Sequence, residues 1–218
     1  MAVDVDLSFC ISIELYIFNE TSGMLLYNIG NTRTVSGRHN DRHRTLTTEM
    51  TAKEKQTHFI KIYLKPTLKN LGYQTSGQTW WKDKGDFFTL INLQNFSWNS
   101  KGSVEFCFNI GVALKATMKD TGKKKPTVHD LTVYLRESSY LPDSIQEYKF
   151  RNKTGYVLTE QADTNDFVAE LQSDFDNYIL PTLDNINSLQ NCIDRFGDIT
   201  FWGDNLKRVI TENKLLAL

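Results

Sequence analysis

From residue 50 onward, hydrophobic and polar positions follow a helical period, then a strict alternation, then a helical period again. Phe59, Ile60, Tyr63, Leu64, Leu68 and Leu71 recur at the three- and four-residue spacing of one helix face. The segment TAKE (51–54) before them is a capping box, in which Thr51 and Glu54 each satisfy the other's backbone N–H. Lys53, Lys55, Lys61, Lys65 and Lys69 fall mostly on the wet side. Pro66 lacks an N–H and predicts a kink or a division, and Gly72 predicts the C-terminal stop. The strands follow. QTWWK and DFFTLINLQ flank DKG, a hairpin signal, and NSKG (99–102) is a second turn. Val104, Phe106, Phe108, Ile110 and Val112 then alternate with Glu105, Cys107, Asn109 and Gly111, the mark of a half-buried strand. Leu131, Val133 and Leu135 alternate in the same way with Thr132, Tyr134 and Arg136, and residues 146–150 read as a short edge strand. Short connections predict an antiparallel meander of four to five strands.

Beyond it the period returns to that of helices. Thr164 or Asp166 is placed to cap a helix bearing Val168, Leu171, Phe175, Tyr178 and Ile179 on one face. Pro181 is placed to start another, with Leu183, Ile186, Leu189, Ile193 and Phe196, and Asp204 to cap a last one with Leu206, Val209 and Ile210. Amphipathic helices must bury their apolar faces. The expectation is an α+β fold, with one helix before an antiparallel sheet and the C-terminal helices packed on it.

Residues 1–49 break this order. Residues 8–18 are apolar but too short to span a bilayer, and Asp4, Asp6 and Glu14 make a poor signal peptide. A buried or edge strand is the alternative. The following stretch is polar and basic, with Arg33, Arg38, Arg42 and Arg44. His39 and His43 stand at i, i+4, a chelating spacing on a helix, but Gly37 and Asn40 speak against a helix, so a solvated linker is the plainer reading. The abrupt change at Met50 suggests an extension over 1–49, or a start assigned too early, ahead of one domain over 50–218.

Charge and cysteine content narrow the function classes. Twenty-five basic and 26 acidic residues give a net charge of −1, without the basic excess of a general nucleic-acid binder. Three cysteines with no CxxC, namely Cys10, Cys107 and Cys192, fit reduced core thiols in a cytoplasmic protein better than a disulfide framework or a zinc site. No metalloprotease, nucleophile-elbow, P-loop or dinucleotide motif is present, and no cofactor is expected. Strand parity argues against a Cys107–His129 dyad. Asp83, Asp86 and Glu105 read as solvated acids rather than an acid–base pair. The loop from Lys119 to Lys125, with Trp80, Trp81 and Trp98, has the ingredients of single-strand nucleic-acid binding, although strand aromatics are more commonly core.

The candidate site lies on the other face of the sheet. Asn92 and Gln94 share a strand side with Phe88, Leu90 and Phe96. Asn109 faces the same way one strand on, and Tyr134 and Arg136 two strands on. Amides beside apolar groups suit a partner-docking surface or a ligand cleft. The competing reading is that the C-terminal helices cover this face and the amides bond backbone groups at helix ends.

The segment KPTLKNLGYQTSGQTWWKDKGDFFTLINLQNFSWNSKGSVEFCFNIGV (65–112) resembles the bacterial domain-of-unknown-function family 4304. The resemblance is carried by the K-P-x-L-K-x-x-G-[FY] helix end, the amide-bearing N-L-Q strand and F-x-x-N-x-G at Phe106, Asn109 and Gly111. DNYILPTLDNINSLQNCIDRF (176–196) is similar to the family's C-terminal helical region. The likeness runs over roughly residues 50–196. The fourth strand departs from the family pattern, keeping His129 and Arg136 but no cysteine. The resemblance implies no activity; an immunity-like or partner-binding role is an association for small bacterial domains of this kind. The leading expectation is a non-catalytic cytoplasmic protein that binds another protein through Asn92, Gln94, Asn109, Tyr134 and Arg136, with no membrane and no nucleic-acid partner. The alternatives are a small-ligand binder or enzyme on the same face, and single-strand binding by the lysine loop.

Overall fold

The structure, a computed structural model, describes residues 50–118, 125–145 and 149–216. The extension 1–49, most of the lysine loop and most of the expected strand at 146–150 lie outside these residues. Helix α1 (Ala52–Phe59) starts at the predicted capping box: Thr51 N–H donates to the Glu54 carboxylate at 2.8 Å and Glu54 N–H to the Thr51 hydroxyl at 3.3 Å. Phe59, Tyr63, Leu64 and Leu68 are buried as expected, while Ile60 and Leu71 pack at the core's margin. Lys55 does not lie on the wet side. It is buried, and its ammonium donates to the carbonyl of Ala162 at 2.6 Å and to that of Glu160.

Pro66 neither breaks nor ends the helix. A π turn (Ile60–Leu64) connects α1 to α2 (Lys65–Asn70), and Lys65 N–H reaches back to the Ile60 carbonyl. The wider turn accommodates a ring that would otherwise crowd the carbonyl four residues earlier. Pro181 is treated in the same way. Helix α3 (Thr164–Asp174), capped by Asp163, passes through a π turn (Phe175–Ile179) into α4 (Leu180–Asn185). Pro181 therefore sits at the start of α4, as predicted, but on a continuing helical path. The two sites share local sequence, YLKPTLKN at 63–70 and YILPTLDN at 178–185. They also touch, since Tyr63 Oη donates to Asp176 Oδ1 at 2.8 Å.

The sheet is antiparallel and has seven strands, more than the four to five expected. These are β1 (Gln74–Ser76), β2 (Thr79–Asp83), β3 (Phe87–Asn95), β4 (Ser103–Leu114), β5 (Val133–Arg136), β6 (Arg151–Asn152) and β7 (Gly155–Thr159). β1 to β4 form the expected meander, but the far edge of β4 is shared. β5 pairs with Asn109–Val112 and β7 with Ser103–Phe106. Between these two partners, the Phe108 N–H is taken up by the Glu137 carboxylate at 2.6 Å. Gly111 stands where β5 comes closest; a Cβ there would collide with the Val133 carbonyl.

The alternating face of β4 is core. Phe106 stacks on Phe59 at 5.5 Å and on Tyr156 at 5.6 Å, and Phe108 meets Phe175 edge-on at 4.8 Å. Helices α1 and α3 thus cover this face. Helix α5 (Leu189–Phe196) starts at Ser188, and α6 (Trp202–Glu212) follows Phe201 rather than a cap at Asp204, which instead lies in its first turn. Phe201 has φ 71° and ψ −59°, and Trp202 N–H donates to the Thr200 carbonyl at 3.0 Å. This is the strained γ-turn with positive φ, uncommon for any residue and more so for an aromatic one. Among the described residues no helix is long and apolar enough to cross a membrane.

Candidate functional site

On the face of the sheet away from α1 and α3, the register lines up Thr79, Asn92, Asn109 and Arg136 across four strands. The amides close on one another. Asn109 Nδ2 donates to Asn92 Oδ1 at 3.2 Å and to Gln94 Oε1 at 2.9 Å, and Asn92 Nδ2 donates to the Thr79 hydroxyl at 2.9 Å. Asn109 is buried at 1% exposure, and its Oδ1 accepts no hydrogen bond. Gln94 is exposed; Asn92, Tyr134 and Arg136 are half-buried. The amides therefore bond each other and strand β2, not helix ends, and of the C-terminal helices α6 reaches this face at Tyr134 through Trp202.

This face has two halves. Trp81, Phe88, Ala113 and Met118 form a small buried apolar cluster, with Leu131 laid against it. The alternation that placed Leu131 with Val133 and Leu135 thus ends before β5 begins. The other half is polar. The Arg136 guanidinium lies beside the Cys107 thiol and 5.8 Å from the Phe96 ring centre. Phe96 in turn stacks on Trp98 at 4.7 Å, and Trp98 is 60% exposed. Tyr134, two residues from Arg136 on the same strand side, packs on Trp202 at 5.8 Å. Of the five residues expected at the site, Asn92, Gln94 and Asn109 form one cluster, Arg136 borders it, and Tyr134 extends it toward α6.

The other candidates are dispersed. His129 lies in an exposed 3₁₀ turn (Val128–Asp130) while Cys107 is buried in β4. Asp83 pairs with Lys115 at 2.8 Å rather than with another acid. Trp80 and Trp81 are buried. Cys192 is buried and unpaired, and burial pushes its thiol up to about 12. Among the described residues no group of three His, Cys, Asp or Glu side chains is placed to hold a metal ion.

A buried ionic network escaped the sequence. Glu137, Arg151 and Asp174 have side chains 2%, 1% and 5% exposed. Arg151 Nη2 donates to Glu137 at 3.3 Å, its Nη1 lies 4.0 Å from Asp174, and its guanidinium covers the Tyr156 ring at 4.4 Å. Tyr156 Oη donates to Asp174 at 2.7 Å. Burial pushes both carboxyls above their ordinary range, against the pull of Arg151. One signal was present in the sequence: Val133, Leu135 and Glu137 alternate, which puts an acid at an inward position. Beside this network a cleft of about 520 Å³ opens between α3 and Phe150, with Glu170 and Asp174 in its wall. Glu170 accepts the Phe150 N–H at 3.2 Å, and its partial burial pushes its carboxyl up to about 7.

The sequence model described as "Domain of unknown function (DUF4304)" matches residues 64–185, more than half of the chain. The chain belongs to DUF4304. The match is narrower than the 50–196 read from the motifs, but it spans the amide cluster and the Arg151 network alike. No curated protein and no solved structure matches this DUF4304 chain. The F-x-x-N-x-G segment of the family resemblance now has physical content in this member. Phe106 fills the core, Asn109 is the buried amide of the opposite face, and Gly111 admits β5.

Proposed function

We propose that this DUF4304 protein is a cytoplasmic, non-catalytic binding protein that docks another protein on the polar face of its sheet. The observation that carries the reading is Asn109. A buried amide oxygen without a partner costs about 1–3 kcal/mol. It sits here at the floor of a face that α1 and α3 leave alone, under Asn92 and the exposed Gln94. The atom has almost no accessible surface, so Asn92 and Gln94 must shift before a partner's N–H or hydroxyl, or a trapped water, can reach it and relieve that cost. For the small-ligand alternative, four clefts of about 350 to 540 Å³ among the described residues are lined by other side chains than these. Of the lysine loop proposed for single-strand binding, only Lys125 is among the described residues, and it is exposed.

The reading is tested by affinity purification from the native lysate with the wild type, Gln94→Ala, and Lys61→Ala on α1's side of the sheet. A partner retained by the wild type and Lys61→Ala but lost from Gln94→Ala supports it. Equal recovery by all three removes the polar face from the account.

A further inference from the structure

Two of the four large hydrophobic side chains exposed among the described residues belong to one surface. Trp98, 60% exposed, stacks on Phe96, and the Phe96 ring lies against the Arg136 guanidinium. Tyr134 follows Arg136 on the same strand side and packs on Trp202. Trp202 meets Phe201 edge-on at 4.7 Å, and Phe201 is 67% exposed. The two sets of contacts, one ending on Arg136 and the other on Tyr134, meet at neighbouring same-side positions of β5 and make one track with the amide cluster along its flank. Its contour is under roughly 30 Å, the reach of about nine extended residues.

Both ends of the track carry apolar surface that the fold does not use. At one end the chain holds Phe201 in a strained γ-turn and still leaves its ring in water. A strained, exposed aromatic is where binding surfaces are found, and Trp, Tyr and Arg are the residues that dominate them. In the middle stands the Arg136 guanidinium, whose charge also acts on the buried Glu137 carboxyl. Within the described residues no carboxylate lies in ion-pair reach of Arg136, because its neighbour Glu137 points to the opposite face and is taken by Arg151. A guanidinium beside aromatic walls favours a carboxylate, which it can hold through two parallel hydrogen bonds. A nucleic acid offers anions as well, but its affinity comes from several neutralised phosphates, and this track supplies one arginine on a chain of net charge −1.

We infer that the track takes one extended acidic segment of a partner protein, with an Asp or Glu side chain on Arg136 and an apolar side chain at each end. One apolar side chain meets Phe96 and Trp98, the other Phe201 and Trp202. This rests on the partner-binding reading of the polar face and specifies what that face recognises.

The test uses the full chain, immobilised, to select from a random twelve-residue peptide library on phage. Enriched synthetic peptides are then measured by fluorescence anisotropy against the wild type, Trp98→Ala, Phe201→Gly and Arg136→Glu. Phe201→Gly removes the ring while easing the strained turn, and Trp98→Ala changes an exposed side chain, so both leave the fold intact. The expected peptides carry an acid between two apolar residues. Their affinity should fall at least about tenfold in each variant. Selection on Arg136→Glu should exchange the acid for Lys or Arg. Peptides that need Trp98 and Phe201 but carry no acid and bind Arg136→Glu equally overturn the acidic assignment while sparing the docking face. Recovery of no peptide, or of peptides indifferent to all three variants, overturns both. Binding of a fifteen-nucleotide single-stranded DNA that Trp98→Ala abolishes overturns the protein assignment in favour of nucleic acid.

Discussion

Glu137→Ala is expected to cost about 3–5 kcal/mol, the range found when one partner of a buried ion pair is removed. Two losses combine in the structure. The Phe108 N–H loses its 2.6 Å acceptor at the gap where neither β5 nor β7 pairs with β4, and an orphaned buried amide alone costs about 1–3 kcal/mol. Arg151, 1% exposed and always charged, keeps among the described residues the Asp174 carboxylate at 4.0 Å and the Tyr156 ring at 4.4 Å, while its Nε and Nη1 already lack hydrogen-bond partners. Against a typical stability of about 5–15 kcal/mol, the loss is from about a fifth to the whole of it. Urea denaturation followed by circular dichroism measures the loss. Arg151→Met should cost a similar amount, and the double variant Glu137→Ala with Arg151→Met should cost less than the sum, with a coupling of about 2 kcal/mol. Glu137→Gln keeps an acceptor for Phe108 and isolates the charge. A loss below about 1 kcal/mol for Glu137→Ala, or strict additivity in the double variant, would refute the claim that this carboxylate closes the sheet and neutralises the arginine.

Other predictions concern separate elements. Glu170 has a folded-state carboxyl pushed up to about 7 from an ordinary 4.5, so the native state holds the extra proton between those values; stability should decline as pH rises through that window, and Glu170→Gln should remove that part of the decline in urea midpoints taken at pH 5 and pH 8. Parallel slopes for the two proteins would exclude the shift. Gly111→Ala should cost at least about 1–3 kcal/mol and loosen β5, seen as faster amide exchange at Leu135, because its Cβ meets backbone rather than a side chain that can turn away. Thr51→Val removes the acceptor for Glu54 N–H and should lower stability by about 1 kcal/mol in the same denaturation assay. An unchanged midpoint would show that the box contributes nothing to α1.

How far the sequence spoke for itself depended on the range of the interaction. The capping box, the face of α1 and the alternation of β4 are local, and each was readable from spacing alone. The parity that put Asn92, Gln94 and Asn109 on one side of the sheet is equally local, and it located the amide cluster. Strand β7 was missed because its Gly155–Thr159 segment is five residues long and packs only Tyr156 and Leu158 inward, too brief an alternation to stand out. Nothing in a period of two indicates that β5 and β7 share one edge of β4, or that Glu137 fills the gap between them. The π turns before Pro66 and Pro181 were hidden because both prolines imply a break in a 3.6-residue period, whereas a single wide turn absorbs each. The anchor at Phe201 is invisible to patterning, since its backbone angle contradicts its residue type.

The docking claim is met most directly by placing a photo-activated crosslinking residue at Gln94, on the polar face, and in a second variant at Lys61, an exposed position on the π turn after α1. Irradiated in the cells that make the protein, the Gln94 variant should give a discrete heavier adduct with one other protein and the Lys61 variant none. An adduct at Lys61 alone, or the same adducts from both positions, would contradict the assignment of the polar sheet face as the binding surface.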